Sequence, residues 1–153
     1  MKKIFFIILL NFLLINKTYA LIEVDITRGN LDPLPIAVSP LHVDINSQEL
    51  KDIKIKELGE NISKIIENNF RGTGLFNPLK KDAFVQKPDI AHLKPRFEDW
   101  RLIKAQALVT GKLLVKEGKL KIEFRLWDLA AAQEMTALAF TTTPSNWRRV
   151  AHI

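Results

Sequence analysis

Three histidines, His42, His92 and His152, are the side chains here suited to proton transfer near neutral pH or to transition-metal ligation. They stand far apart in the chain, and none lies in a His-x-x-x-His or His-x-x-Glu-His pattern, so spacing defines no zinc site. Ser39, Ser47, Ser63 and Ser145 lack the Gly-x-Ser-x-Gly setting of an exposed nucleophile. Asp99 beside Trp100 and Glu123 beside Phe124 are spaced as solvent-face residues, not as a paired acid and base. Asp25 and Asp32 lack the alternating oxygen ligands of a calcium loop. Gly72-Thr73-Gly74 closes a helix instead of opening one, which makes it a poor phosphate cradle. Arg148-Arg149 can meet a phosphate or an acidic partner, or can simply solvate a helix start. With no cysteine, disulfides and thiolate chemistry are excluded. No constellation points to an enzyme, a metal or another cofactor.

Location then becomes the first question. Lys2 and Lys3 precede an apolar stretch, Ile4 to Ile15, broken only by Asn11, and the exit Thr18-Tyr19-Ala20 places small residues where a signal peptidase reads. An apolar helix of about a dozen residues spans roughly 18 Å, short of the roughly 30 Å of a hydrocarbon core. Residues 1–20 are therefore expected to be a cleaved secretory signal, with a retained anchor or a buried helix as the alternative. No stable membrane insertion is expected after cleavage. The absence of any cysteine argues against a lipid-modified N-terminus. The formal charge of +6 includes Lys2, Lys3 and Lys17 with no acid among residues 1–20, so the chain from Leu21 onward carries +3. That surface gives little electrostatic reason to expect nucleic acid.

The exported part reads as one domain preceded by an arm. In Leu21-Ile22-Glu23-Val24-Asp25-Ile26-Thr27, apolar and polar residues alternate, the pattern of a half-buried strand. Arg28-Gly29-Asn30 and Asp32-Pro33-Leu34-Pro35 separate it from the rest of the chain. Such a strand can pack at home or add to another protein's sheet edge. Residues 21–35 are thus an arm and linker, and 36–153 the domain.

Within the domain, Ile36 to Val43 is a strand candidate whose Pro40 suggests an edge or a bulge. Asn46 with Glu49 resembles a capping box. Ile55, Leu58, Ile62, Ile65, Ile66 and Asn69 share one helical face, which Gly72 is expected to end in a left-handed cap. Leu75-Phe76 is a short extended piece, and residues 80–96 read as a polar surface loop. Phe97 to Ile103 is a short helix with Phe97, Trp100 and Ile103 candidates for its inward face. Three antiparallel strands come next: Ala105 to Lys116, Lys119 to Asp128 after a Glu117-Gly118 turn, and Glu134 to Thr143. The run Ala107-Leu108-Val109 suggests burial on both faces, and Leu120, Ile122, Phe124 and Leu126 set the register of the second strand. Ser145 is expected to cap a last helix that reaches Ile153 within about two turns, as if truncated within that helix. The expected architecture is α/β (α+β), a mixed sheet of about five strands packed by two helices.

Six short motifs in order carry a resemblance. They are Pro35-Ile36-Ala37-Val38, Thr73-Gly74-Leu75-Phe76-Asn77-Pro78, Asp99-Trp100-Arg101, Ala107-Leu108-Val109-Thr110-Gly111, Phe124-Arg125-Leu126-Trp127-Asp128 and Trp147-Arg148-Arg149-Val150-Ala151-His152. Together with the N-terminal strand they resemble the amino-terminal domain of the TolB family, periplasmic components of the Tol–Pal system, over residues 21–152. The resemblance implies an anticodon-binding-domain-like α/β unit, followed in the family by a β-propeller that binds Pal. It also implies an N-terminal arm that binds TolA, which maps here onto Leu21, Ile22, Glu23, Val24, Asp25, Ile26 and Thr27. The propeller is absent from this sequence, so Pal binding is not expected. The implied role is a Gram-negative periplasmic adaptor supporting outer-membrane integrity and envelope constriction in cell division. Two other readings compete: a small periplasmic ligand-binding domain, with a pocket between the helix at 55–70 and the sheet, against which Ile62 and Phe124 read as ordinary core, and a non-functional fragment of a split gene.

Overall fold

The computed structural model describes residues 32–50 and 54–152, together with every side chain among them except that of Lys56. The expected signal and the arm Leu21–Thr27 lie outside the described residues. The described residues form a mixed α/β domain built on one six-stranded sheet.

β1 (Leu34–Val38) is an interior strand, parallel to both β3 (Phe76–Pro78) and β4 (Ala107–Lys116). Buried on both faces, it reads as the continuous apolar run Ile36-Ala37-Val38. The strand expected over Ile36 to Val43 is in fact two. Pro40 cannot donate to a ladder, and the chain breaks at Ser39-Pro40-Leu41 before β2 (His42–Val43) rejoins the same side of β4 further along. β4, β5 (Lys119–Asp128) and β6 (Gln133–Thr142) form the expected antiparallel meander, giving the order β3-β1-β4-β5-β6. Glu117 and Gly118 turn between β4 and β5 with φ of 52° and 70°, the double left-handed conformation that matches strand twist.

α1 (Ile55–Thr73) lies on one face of this sheet. Leu58 and Ile62 are fully buried against Leu113, Val115, Leu120 and Ile122, and each such side chain contributes about 1.5–3 kcal/mol by leaving water. The expected helical stripe is therefore correct, but both ends differ. Asn46 does not cap the helix, because Asp44 Oδ1 accepts both its backbone N–H and its Nδ2 at 2.9 Å, closing a local turn well before Ile55. Gly74 rather than Gly72 takes the left-handed cap, at φ 70°.

The opposite face carries residues that sequence reading left as loop. Residues 80–96 contain a short 3-10 turn (Lys81–Ala83) and α2 (Pro88–Ala91), with Gln86 and Ala91 buried. α3 (Phe97–Leu102) drives Trp100 into a cluster with Ala37, Ala91, Leu108, Trp127 and Leu129. α4 (Trp147–Ala151) returns to the first face, where Trp147 and Val150 join the α1 core. Ser145 does not cap it; its hydroxyl sits 3.1 Å from that of Thr143, inside the 3-10 turn Pro144–Asn146. No described helix is long and apolar enough to cross a membrane.

Candidate protein-interaction surface

Internal structure consumes most of the polar chemistry. Ser63 donates to the Glu60 carbonyl and accepts from Lys81 Nζ, both at 2.9 Å. The same ammonium lies 3.2 Å from Glu67 Oε1, an ion pair that ties the segment after β3 to α1. Ser39 donates to the Pro40 carbonyl, and Thr110 accepts from Trp127 Nε1 at 2.8 Å within the core. No hydroxyl among these faces a base. Asp99 pairs with Arg96, and Glu123 with Lys112 and Lys121; both acids are half-buried ion-pair partners, where their spacing suggested solvent-face residues. The hydrogen bond from Lys121 holds the Glu123 carboxyl below its usual range. Arg148 lies over the Trp147 ring, 4.6 Å from its centroid, so half of the basic pair is spent on a cation–π contact.

One pairing escaped sequence reasoning. His42 on β2 and His92 just after α2 stack with ring centroids 4.1 Å apart and planes 5° apart, although fifty residues of chain separate them. Nothing in their spacing announces this; the βα crossover through α1 brings the two segments together. His92 Nδ1 lies 2.9 Å from the Pro88 carbonyl and must donate to it. Burial first, and His92 second, hold His42 below its ordinary pKa. Among the described residues no group of three or more His, Asp or Glu side chains is placed to hold a metal.

The remaining candidate is surface for partners. The arm Leu21–Thr27 lies outside the described residues, but its attachment is visible. Leu34 N–H donates to the Leu75 carbonyl at 2.9 Å, so the chain is locked into the sheet immediately after the exposed Asp32 and Pro33. On the α1 face an open apolar groove of about 180 Å³ runs between Ile66 and Phe70 of α1, Phe124 and Leu126 of β5, and Leu138 and Phe140 of β6. This is the position expected for a pocket between helix and sheet. Ile62 is fully buried core, as expected, whereas Phe124, also expected in the core, lines the groove.

Comparison with known proteins adds to this geometry. Residues 22–135 match the model of the TolB amino-terminal domain. The Tol-Pal system protein TolB of Pelagibacter ubique is 66% identical over 139 residues, a match spanning 90% of this chain and 31% of that relative. Among solved structures, TolB from Acinetobacter baumannii superposes with a TM-score of 0.59 at 16% identity, over 78% of this chain and 26% of that one. The LpoB C-terminal domain from Salmonella enterica shares the fold at a TM-score of 0.51 and 8% identity, over 76% of this chain and 87% of that one.

Proposed function

This chain belongs to the TolB amino-terminal domain family, and from that premise we propose that it is an adaptor of the Tol–Pal system that works in the periplasm after cleavage of residues 1–20. In this reading the arm Leu21, Ile22, Glu23, Val24, Asp25, Ile26 and Thr27 adds as a strand to a sheet edge of TolA. Its role is then to support outer-membrane integrity and envelope constriction during division. The observation that carries the reading is the family match itself, which runs from Ile22 to Met135 and so covers the arm except Leu21 and the domain through β5. Two further features support it. The polar side chains of the domain are engaged in internal bonds such as Ser63–Lys81 and Thr110–Trp127, which suits a scaffold. The arm alternates apolar and charged residues, so a sheet edge can take its main chain while Ile22, Val24 and Ile26 enter pockets on one face. Main-chain bonds of about 1 kcal/mol net each would supply the affinity. Pal contact, which the resemblance assigns to the propeller, is not part of this proposal.

Capture on the immobilised periplasmic part of TolA tests the reading. The full chain is expected to be retained, and a chain lacking residues 21–27 to pass through. Equal retention of both removes the arm from the mechanism, and retention of neither removes TolA.

A further inference from the structure

The outer edge of β6 is unusually unprotected. Gln133 to Ala139 are consecutively exposed, and among the described residues no strand pairs with this side of β6. Natural edge strands are ordinarily blunted by charge, proline or distortion. β6 has no proline and one charged residue, Glu134, which is engaged by Arg125 at 2.8 Å. A single irregularity does occur: Met135 is skipped in the pairing with β5, which bulges the start of the strand. From Thr136 to Thr142 the ladder is regular, with Leu138 opposite Phe124 and Phe140 opposite Ile122. Leu138 is 48% exposed and forms, with Phe140, the outer wall of the apolar groove.

We propose that this edge is a homodimer interface, in which β6 of one copy pairs antiparallel with β6 of a second copy about Ala139. The strand's own pattern selects that occupant. Centring on Ala139 uses the whole regular stretch, because Thr136 then faces Thr142 of the second copy and Leu138 faces Phe140 of the second copy. The apolar cross-strand pairs fall on the groove side, where they extend a surface that is already apolar. Glu134 falls outside the paired stretch in both copies, so no like charges meet. A two-fold axis through Ala139 makes the contact closed and self-limiting, which prevents further growth along the sheet. One short strand pair covers less than the roughly 1,600 Å² of a stable interface, so the dimer dissociates on dilution.

Sedimentation of the full chain over a concentration series reads this directly. The expected result is a mass rising from one copy to two, never higher. Leu138→Lys, which puts a charge into the apolar pair, is expected to leave only monomer. Met135→Lys, at an exposed apolar residue outside the paired stretch, is expected to leave the dimer intact. Native monomer at every concentration, a dimer indifferent to Leu138→Lys, or equal disruption by Met135→Lys would each overturn the proposal. Should Leu138→Lys fail to fold by circular dichroism, single cysteines in this cysteine-free chain decide: oxidation joins two copies of Ala139→Cys much faster than two copies of the likewise exposed Met135→Cys if the axis passes at Ala139, and no faster if it does not.

Discussion

His42 and His92 stack face to face, 4.1 Å between centroids, and so fasten β2 to the segment just after α2. Two imidazoles at that distance cannot both carry a proton without repulsion. Burial and His92 lower the pKa of His42, Lys112 lowers it further, and Asp44 and Asp89 act in the opposite direction. A histidine whose folded pKa lies below its unfolded value binds fewer protons in the native state, so stability rises with pH across that window. The contribution is complete above the ordinary value of 6.5 and is lost as pH falls through the lowered folded pKa. Thermal melts from about pH 7 to about pH 5 are expected to show a falling Tm, and His42→Gln to flatten that slope. Loss of the Asp44 and Glu123 contributions belongs to a separate, more acid window, since both carboxyls are held below their usual range.

Two glycines of α1 predict opposite signs. A Cβ on Gly59 would run into the Leu41 carbonyl oxygen, and Leu41 N–H in turn donates to the Gly59 carbonyl at 3.3 Å, which holds the two backbones together. Helix propensity favours alanine by about 1 kcal/mol, but the fixed backbone on the other side leaves nothing able to yield. Gly59→Ala is therefore expected to destabilise by about 2 kcal/mol net. Nothing lies within 4 Å of a Cβ on Gly72, and Gly72→Ala is expected to stabilise by about 0.5 kcal/mol. Urea unfolding of both variants checks the pair.

Gln86 holds the far face of the sheet through one oxygen. Its Oε1 accepts from the buried Trp100 Nε1 at 2.8 Å and from the Arg96 backbone N–H at 3.1 Å. Gln86→Leu keeps the volume but leaves the indole N–H buried and unpaired, a loss of about 2 kcal/mol. The expected signature is a lower urea midpoint with an unchanged m-value. Gln86→Glu, which keeps the acceptor oxygens, is expected to retain the Trp100 bond but to bury a charge.

The features legible in the sequence and those hidden from it divide along a physical line. Periodicity located α1 and β5, because Leu58 and Ile62, or Leu120 and Ile122, repeat with the period of their own element, while the apolar run Ala107-Leu108-Val109 marked β4. It placed Trp100 in the core for the same reason. Local signals misled where a side chain bonds to its near neighbours: Asn46 looked like a cap and is held by Asp44 instead. Contacts between distant segments left no local trace. The His42–His92 stack, the acceptor role of Gln86 and the burial of Ala91 arise only when the sheet brings residues 80–96 back over β1 and β4. The exposed β6 edge is a middle case. Its low charge is visible in Thr136-Ala137-Leu138-Ala139-Phe140, but that it is an edge depends on the strand order.

Asn69 tests how α4 is held. It sits on the apolar stripe of α1, and its Nδ2 donates to the Ala151 carbonyl at 3.1 Å, spanning the gap between the two helices. α4 has five residues and no side-chain cap, so its helical form depends on this bond and on burial of Trp147 and Val150. Asn69→Ala removes the donor without adding bulk, and is expected to lower global stability by about 1 kcal/mol. The larger effect should be local. In hydrogen exchange, amides of 147–152 are expected to lose protection ahead of those of β4 and β5, because the sheet keeps its own ladder while the short helix loses its tie. Uniform loss of protection across both regions would mean that α4 opens only with the whole domain, and that Trp147 packing alone is enough to hold it.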